Sequence, residues 1–418
     1  MIKIIKYLDR VIYWLIVAVP FSIAISPGMA NSFIGIMIFS YMAKKILKRE
    51  KIIPRTAVNM PVLFFFIISL LSITHSINLK DSLVGGMLRL LLFSSLMFII
   101  AAELKDERQL RRVAYSIAAS LMLVTFDGLW QIRAGRDFIA GREPVLNLGL
   151  MRATASFKDS NLLGIYLSGF TPLLLGLALY GESIRRKVFF YLSAAIALAG
   201  ILLTYSRPSF LAIYIVLIFF AIARRHKALL IFLVILTLLF PFFVPQSVKN
   251  WAKDVEYNPL RMMCNDDRIA VYRNSLNMIK AHPLIGLGTN NYMKSYKYYK
   301  ERPEYRNIVT LEYMRAHNMY LEMAAELGLT GLGIFFWMLF RLFAAARAAY
   351  KRLEGNYLKI IALSLGACLL AFLINGLTES SFYYSRVAPV FWYISGLILG
   401  LGRSSLENSH DKNSSNKD

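Results

Sequence analysis

Long apolar segments recur along the chain, and short polar stretches separate most of them. A helix needs about 20 apolar residues to cross the hydrocarbon core of a bilayer. Twelve segments meet this requirement, and the pattern therefore predicts an all-α integral membrane protein with about 12 transmembrane helices. Their approximate bounds are 11–29, 30–47, 60–78, 82–102, 112–132, 160–180, 187–205, 208–223, 228–246, 318–340, 357–378 and 386–403.

The longest polar interruption covers about 70 residues and precedes the tenth predicted helix. Within it, Asp267 to Lys280 has the spacing of an amphipathic helix that His282-Pro283 ends. The apolar face predicted for this helix consists of Ile269, Tyr272, Leu276 and Ile279. The predicted organisation has nine transmembrane helices, a helical loop domain, three more helices and a disordered tail. The corresponding ranges are 1–246, 247–317, 318–403 and 404–418.

Composition supports the membrane assignment. The chain has 48 Lys and Arg residues against 25 Asp and Glu residues, which gives a net charge of +23. However, 57% of its residues are hydrophobic and only 17% are charged, whereas soluble domains are about 25% charged. This composition excludes a soluble nucleic-acid-binding protein and a disordered chain. Two distant cysteines also exclude a disulfide-rich secreted domain.

The distribution of charge predicts how the chain is oriented. One alternating set of inter-helix segments, which includes both termini, contains 27 Lys and Arg residues against 10 acidic residues. The rest of the chain contains 21 basic and 15 acidic residues. Because cytoplasmic loops carry an excess of Lys and Arg, both termini are predicted to face the cytoplasm. The 133–159 and 247–317 loops then lie on the outer side.

Common catalytic motifs are missing from the sequence. It contains no phosphate-binding P-loop, no zinc-protease motif and no cluster of Cys and His with metal-ligand spacing. The sequence therefore predicts neither a cofactor nor a metal site. Candidate chemistry has to come from polar residues on the outer side.

Several basic residues are candidates for binding an anion there. Arg207 lies at an outer junction between two predicted helices, directly before Pro208, which suits a first helical turn. A helix N-terminus beside a guanidinium can bind phosphate, although an arginine at this depth can equally extend to lipid headgroups. Arg268 begins the amphipathic segment. Additional candidates in the outer loops are Arg152, Lys158, Arg273 and Arg315.

His317 is the candidate general base. It lies where the long loop returns to the membrane, and a histidine can accept a proton from an attacking hydroxyl near neutral pH. The alternative is a histidine that caps the following helix. Asn318, Glu322 and Glu326 follow along one stripe and are predicted to bond to a neighbouring helix. Glu326 is expected to point away from His317, because nine residues rotate a side chain by about 180° around the helix axis.

These residues resemble the signature of a known family. Ala316-His317-Asn318, Tyr320-Leu321 and the following Glu326, Gly328 and Gly331 are similar to the O-antigen ligase/O-antigen polymerase superfamily. The stretches Leu202–Arg207 and Arg268–Gly288 agree with two further motifs, and Phe157–Leu163 agrees more weakly. Two departures are Tyr205 before Ser206-Arg207 and Pro208-Ser209 after it, where the family commonly has small residues and glycines.

The resemblance implies a membrane glycosyltransferase of GT-C-like architecture in the bacterial inner membrane, with its active site facing the periplasm. It implies that His317 is the essential histidine and that Arg207 and Arg268 hold the donor diphosphate. The donor would be a glycan on undecaprenyl diphosphate, and an O-antigen ligase would transfer it to a hydroxyl of lipid A-core. Expected partners are these two substrates and membrane lipids, without nucleic acid.

Two alternatives stay open at this stage. A polymerase of the same superfamily would use a second lipid-linked glycan as acceptor, and the 133–159 loop is compatible with it. The second alternative belongs to a different functional class and is a non-enzymatic transporter or flippase with twelve spans. It predicts charged residues along a path through the bilayer, whereas the informative polar residues here gather on one side.

Overall fold

The computed structural model describes residues 1–104, 106–147, 149–181, 183–244, 246–254, 256–258, 266–300 and 314–415. It is 77% helical and all-α apart from one short antiparallel hairpin. The first helices are α1 (Ile2–Ile25), α2 (Pro27–Lys48), α3 (Asn59–Ser72), α4 (Arg89–Glu103) and α5 (Glu107–Ala134). The hairpin strands β1 (Val145–Asn147) and β2 (Leu150–Arg152) follow.

The remaining helices begin after the hairpin. They are α6 (Ser160–Tyr180), α7 (Ile184–Thr204), α8 (Arg207–Ala223), α9 (Lys227–Phe243), α10 (Gln246–Asp254), α11 (Asp266–Ala281), α12 (Tyr292–Ser295), α13 (Met319–Arg352), α14 (Asn356–Asn375) and α15 (Ala388–Ser415). Short 3-10 turns occupy Ile73–His75 and Tyr296–Tyr298, and a π-helical segment (Asp81–Leu88) leads into α4.

Seven helical segments among the described residues are long and apolar enough to cross a membrane, consistent with an integral membrane protein. They are Ile2–Ile25, Asp81–Glu103, Glu107–Ala134, Ser160–Tyr180, Ile184–Thr204, Met319–Arg352 and Asn356–Asn375. Four shorter apolar helices coincide with other predicted spans. These are Asn59–His75, Arg207–Ala223, Lys227–Leu239 and Ala388–Gly402. The 22-residue α2 occupies the remaining predicted position.

Local sequence explains where several helices begin. Ser26 separates α1 from α2, because its hydroxyl accepts a hydrogen bond from the Met29 amide and Pro27 occupies the first turn. Tyr205 ends α7 in a left-handed conformation with φ of 47°. Pro208 then lies in the first turn of α8, as the sequence predicts.

Helix α6 forms the centre of the bundle, with 94% of its most apolar stretch buried among other helices. It packs against α7, α8 and α14. Polar groups at its surface are paired within the bundle, since Asn375 of α14 donates to the Ser168 hydroxyl (3.0 Å). A helix buried on all sides inside the protein has no face for lipid, so α6 supports the elements around it.

Helix α11 confirms the predicted segment, and three residues of its predicted apolar face, Ile269, Tyr272 and Ile279, are partly buried. Leu276 is 46% exposed, whereas Val271, Ser275 and Met278 are buried. The buried side combines apolar packing with a polar contact, because Val271 and Met278 join a hydrophobic cluster and Ser275 shares a hydrogen bond with the Tyr292 hydroxyl (2.6 Å). Residues 255, 259–265 and 301–313 of the predicted 247–317 loop domain lie outside the described residues. Helix α15 continues to Ser415, within the 404–418 segment predicted to be disordered.

Two glycines allow the segment after α11 to pack on α13. Gly328 interrupts α13 with φ of 69° and ψ of 178°, and Gly286 has φ of 71°. A Cβ at Gly286 would lie 2.2 Å from the Glu326 carbonyl carbon, and one at Gly328 would lie 2.2 Å from the Leu284 oxygen. The two glycine motifs of the sequence therefore contact each other directly.

Candidate active site

The centre of the candidate site is Glu379, in the short segment 376–387 that joins α14 to α15. Its side chain is 3% exposed, and three polar side chains converge on its carboxylate. Arg268 donates to Oε1 (2.7 Å), Asn161 donates to the same oxygen (2.8 Å), and His317 Nδ1 lies 3.3 Å from Oε2. We call Glu379, His317, Arg268, Asn161 and Arg152 the Glu379 cluster.

His317 is positioned by its backbone and by its neighbour. Its φ is 47°, and its carbonyl accepts a hydrogen bond from the Tyr272 hydroxyl of α11 (3.1 Å). The cap of α13 is Asn318, whose side chain accepts from the amides of Tyr320 and Leu321, both at 3.0 Å. His317 is therefore not the capping residue. Its imidazole turns towards Glu379 instead.

The charge state of Glu379 follows from its surroundings. Burial raises the pKa of this carboxyl group, but the hydrogen bond from His317 and the positive charge of Arg268 outweigh burial and lower it below its usual value. The carboxylate therefore stays ionised at neutral pH. An ionised carboxylate only accepts hydrogen bonds, so His317 Nδ1 carries the proton that faces it.

Arg152 connects the hairpin to the cluster. Its Nε donates to the Thr204 carbonyl at the end of α7 (2.8 Å), and its Nη2 donates to the Asn161 amide oxygen (2.8 Å). Burial and the nearby charge of Arg268 lower the pKa of Arg152, while Asp159 and Glu379 raise it. Burial outweighs the two carboxylates, so the pKa of Arg152 is lowered overall, and Arg152 lies close to Arg268 as well as to Asp159 and Glu379.

A second polar group lies beside the cluster. Arg315 Nη1 donates to Glu322 Oε1 (2.5 Å), and its guanidinium lies 5.2 Å from the centre of the Tyr384 ring. The Ser380 hydroxyl donates to the other carboxylate oxygen of Glu322. Burial lowers the pKa of Arg315, but the charge of Glu322 more than offsets this and raises it. Because Ser380 follows Glu379, the two groups share one backbone segment.

Glu326 has a different position from the cluster. Its carboxylate accepts from the Asn290 amide (2.7 Å) and from the Tyr292 amide (2.9 Å). These contacts fix the segment after α11 onto α13. As predicted, Glu326 makes no pair with His317 among the described residues, and its partners are the loop residue Asn290 and Tyr292, the first residue of the short helix α12.

The other candidates surround this region. Arg207 is exposed and is the first residue of α8, three residues after the Thr204 carbonyl that Arg152 contacts. Lys158 is exposed just before α6, and Arg273 is exposed on α11. Asn318 also donates to the Leu377 carbonyl (2.9 Å), next to the segment that carries Glu379.

Glu379 is the residue that sequence reasoning missed. It lies in Thr378-Glu379-Ser380-Ser381, between the last two predicted spans. A carboxylate next to a membrane segment is costly unless it is paired or faces water, and that rule could have singled it out. Its partners are at positions 161, 268 and 317. Residues so far apart in the sequence come into contact only when the chain has folded, so the sequence alone could not identify them.

Comparisons with known proteins agree with the motif resemblance. A family model described as O-antigen ligase matches residues 192–336, a range that includes Arg207, Arg268 and His317. No curated protein matches the chain significantly. One solved structure, from a peptidoglycan synthase complex that coordinates polymerization and crosslinking, is 16% identical. It covers 82% of this chain and 97% of its own, with a TM-score of 0.44, which is too low to establish a common fold. Residues 192–336, about a third of the chain, are therefore similar to the O-antigen ligase family.

Proposed function

We propose that the protein is an O-antigen ligase that transfers a glycan from undecaprenyl diphosphate to a hydroxyl of lipid A-core. The observation that supports this most is the shared carboxylate of Glu379, which contacts both His317 (3.3 Å) and Arg268 (2.7 Å). One group is suited to remove a proton and the other to bind a phosphate. Their common anchor holds the base and the leaving-group site in one fixed relation.

His317 acts as the general base in this proposal. Because Glu379 accepts the Nδ1 proton, the neutral imidazole presents its basic lone pair at Nε2. Nε2 takes the proton of the acceptor hydroxyl as that oxygen attacks the anomeric carbon. A carboxylate that orients a histidine in this way is a recurring device in proton-transfer enzymes.

The arginines stabilise the leaving group. As the new glycosidic bond forms, the bond from the anomeric carbon to phosphate breaks, and the diphosphate leaves with the electron pair. Arg268 and Arg207 bind this diphosphate, because guanidinium groups match phosphate oxygens with paired hydrogen bonds. Arg152 adds positive charge behind Asn161. Fixed cations at the point where negative charge develops lower the barrier to transfer. Attack opposite the leaving group inverts the anomeric centre.

The proposed setting is the bacterial inner membrane, with twelve spans, both termini in the cytoplasm and the Glu379 cluster at the periplasmic side. The excess of Lys and Arg in one set of segments supports this orientation. Lipid-linked donor and acceptor would both reach the cluster from the membrane. The driving force comes from the diphosphate, so no nucleotide is required outside the cell.

The test is the lipopolysaccharide profile of a strain that lacks the protein, separated on a gel. The proposal predicts core without O-chain, with lipid-linked polymer accumulating, and restoration by the wild-type gene. Core carrying a single repeat would instead show a polymerase. An unchanged profile together with loss of transport of an unrelated substrate would contradict both enzyme assignments.

A further inference from the structure

A large apolar groove lies between α2, α3, α4 and the π-helical segment. Its volume is about 1020 Å³, and its lining is mostly aliphatic and aromatic. Representative lining residues are Ile38, Met60, Leu63, Phe66, Leu92 and Phe98. Two of these side chains are more than half exposed, Met60 at 59% and Leu63 at 51%. The groove is therefore open along its side, as a site for hydrocarbon chains would be.

A smaller, basic cavity of about 330 Å³ lies next to this groove. Tyr41 and Ile53 line both spaces, so the two are adjacent. The smaller cavity is also lined by Lys45, Lys51 and Arg55, and we call these three residues the basic mouth.

The cations of the basic mouth are not fully neutralised. Glu50, which also lines this cavity, pairs with Lys45 (2.6 Å) and lies 3.5 Å from Lys48. Lys51 and Arg55 are exposed and have no ionic partner among the residues that the structure describes. Two unpaired cations next to an apolar groove are complementary to an anionic headgroup.

The loop that carries these cations is fixed in place. The Tyr41 hydroxyl donates to the Ile52 carbonyl (2.8 Å), and the Asn59 side chain donates through Nδ2 to the Pro54 carbonyl (2.9 Å). From α13, Arg341 Nε donates to the Ala57 carbonyl (3.0 Å). Lys51 and Arg55 therefore project from an ordered backbone, which lowers the entropy cost of binding a ligand there.

The basic mouth is remote from the Glu379 cluster. Arg341 contacts the loop, and it lies 22 residues after the start of α13 at Met319. Because Gly328 kinks α13, only the continuous part from Gly328 to Arg341 can be measured as a helix, and it alone rises about 20 Å at 1.5 Å per residue. The basic mouth is thus separated from the Glu379 cluster along α13, whereas the groove also reaches Arg89, whose Nη1 donates to the Tyr383 carbonyl (3.3 Å) in the segment that carries Glu379.

We propose that the basic mouth and the groove together form a binding site for an anionic phospholipid of the cytoplasmic leaflet. The headgroup phosphate binds Lys51 and Arg55, supported by Lys45, and the acyl chains occupy the groove between α2, α3 and α4. Basic pockets between helices on the cytoplasmic side suit anionic headgroups. This site goes beyond the proposed reaction and uses a different leaflet, although its assignment to the cytoplasmic side depends on the predicted orientation.

The test is native mass spectrometry of the purified full-length protein with added phosphatidylglycerol or phosphatidylethanolamine of identical chains. Wild-type protein should retain the anionic lipid preferentially. The double variant Lys51→Gln, Arg55→Gln should bind phosphatidylglycerol roughly 30-fold more weakly, the effect expected for two cations near an anionic headgroup. The matched control Lys351→Gln, Arg352→Gln removes two exposed cations from the end of α13 and should leave binding unchanged.

Two further arms identify the ligand and keep the test independent of folding. Leu63→Trp fills the groove and should weaken both lipids equally, while the thermal unfolding temperature confirms that each variant is folded. Equal loss of phosphatidylglycerol in the Lys51/Arg55 variant and in the control would overturn the proposal. Preferential retention of undecaprenyl phosphate over phosphatidylglycerol would also overturn it, because the site would then belong to a carrier lipid.

Discussion

Replacing Glu379 with glutamine isolates the contribution of its negative charge, because the side chain keeps its size. In the native site the carboxylate accepts from Arg268, Asn161 and His317 at 2.7, 2.8 and 3.3 Å. The single amide oxygen of glutamine can still accept from Arg268 and Asn161. Its amino group then faces His317 Nδ1, and two donors cannot face each other.

The expected consequence is a change of tautomer. To accept from the glutamine amino group, Nδ1 has to give up its proton, which moves to Nε2 and removes the base. Where an amide replaces the carboxylate that orients a catalytic histidine, kcat falls by roughly 10⁴-fold. We expect a loss of roughly 10³- to 10⁴-fold in kcat for Glu379→Gln. Stability should fall by only about 1–3 kcal/mol, since two of the three hydrogen bonds can persist.

The assay is steady-state glycan transfer by purified protein from a polyprenyl-diphosphate-linked donor, with thermal unfolding measured on the same samples. Glu143→Gln provides a matched control, because Glu143 pairs with Arg136 at 3.1 Å but is 70% exposed. Exposed ion pairs contribute at most about 1 kcal/mol, so this variant should keep wild-type activity and stability. A kcat for Glu379→Gln within about threefold of wild type would refute the role of the carboxylate in setting the tautomer.

Two other perturbations address the segment that supports the site. Gly286→Ala and Gly328→Ala should each lower the free energy of unfolding by at least about 1–3 kcal/mol. Both positions have positive φ, and an added Cβ would lie 2.2 Å from backbone atoms. Gly333→Ala is the control and should not destabilise the protein, because its added Cβ would have no atom within 4 Å. Burial and the neighbouring His75 lower the pKa of His282 below 6.5, so the folded state favours neutral imidazole. Stability from this group is present above pH 6.5 and is lost as the pH falls through the lower folded value. Protection of residues 282–300 from hydrogen exchange, corrected for the intrinsic exchange rate, should therefore fall between pH 7 and pH 5, less so in His282→Gln, while His226→Gln should behave like wild type.

The helices of this chain could be predicted because the structure of each long apolar segment depends mainly on its own sequence. Ser26-Pro27 and Tyr205-Ser206-Arg207-Pro208 marked helix junctions through capping and proline geometry, which are local properties. The buried face of α11 could be obtained only in part in that way. It also includes Ser275 and Asn274, which bond to the hydroxyls of Tyr292 and Tyr296 across the loop. Hydrophobicity alone favoured a face that includes the exposed Leu276.

In the candidate site too, residues within local motifs could be predicted, whereas contacts between distant residues could not. His317 and Arg268 lie in recognisable motifs, so sequence resemblance identified them. Glu379 lies in a short, unremarkable segment, and its partners are 62, 111 and 218 residues away in the chain. The segments around Gly286 and Gly328 pack against each other, and this contact explains both glycine motifs. It could not be predicted, because it requires the kink in α13. Contacts at these separations depend on the packing of the whole bundle.

The proton-accepting role of His317 is the central claim, and single-turnover transfer by His317→Ala measures it most directly. Donor binding by the same variant has to be measured in parallel with a fluorescent polyprenyl-diphosphate glycan. The account predicts that transfer slows by about 10²- to 10⁴-fold, the usual contribution of a general base, while the donor Kd stays within threefold of wild type. Transfer at a near-wild-type rate would contradict the assignment of His317 as the base.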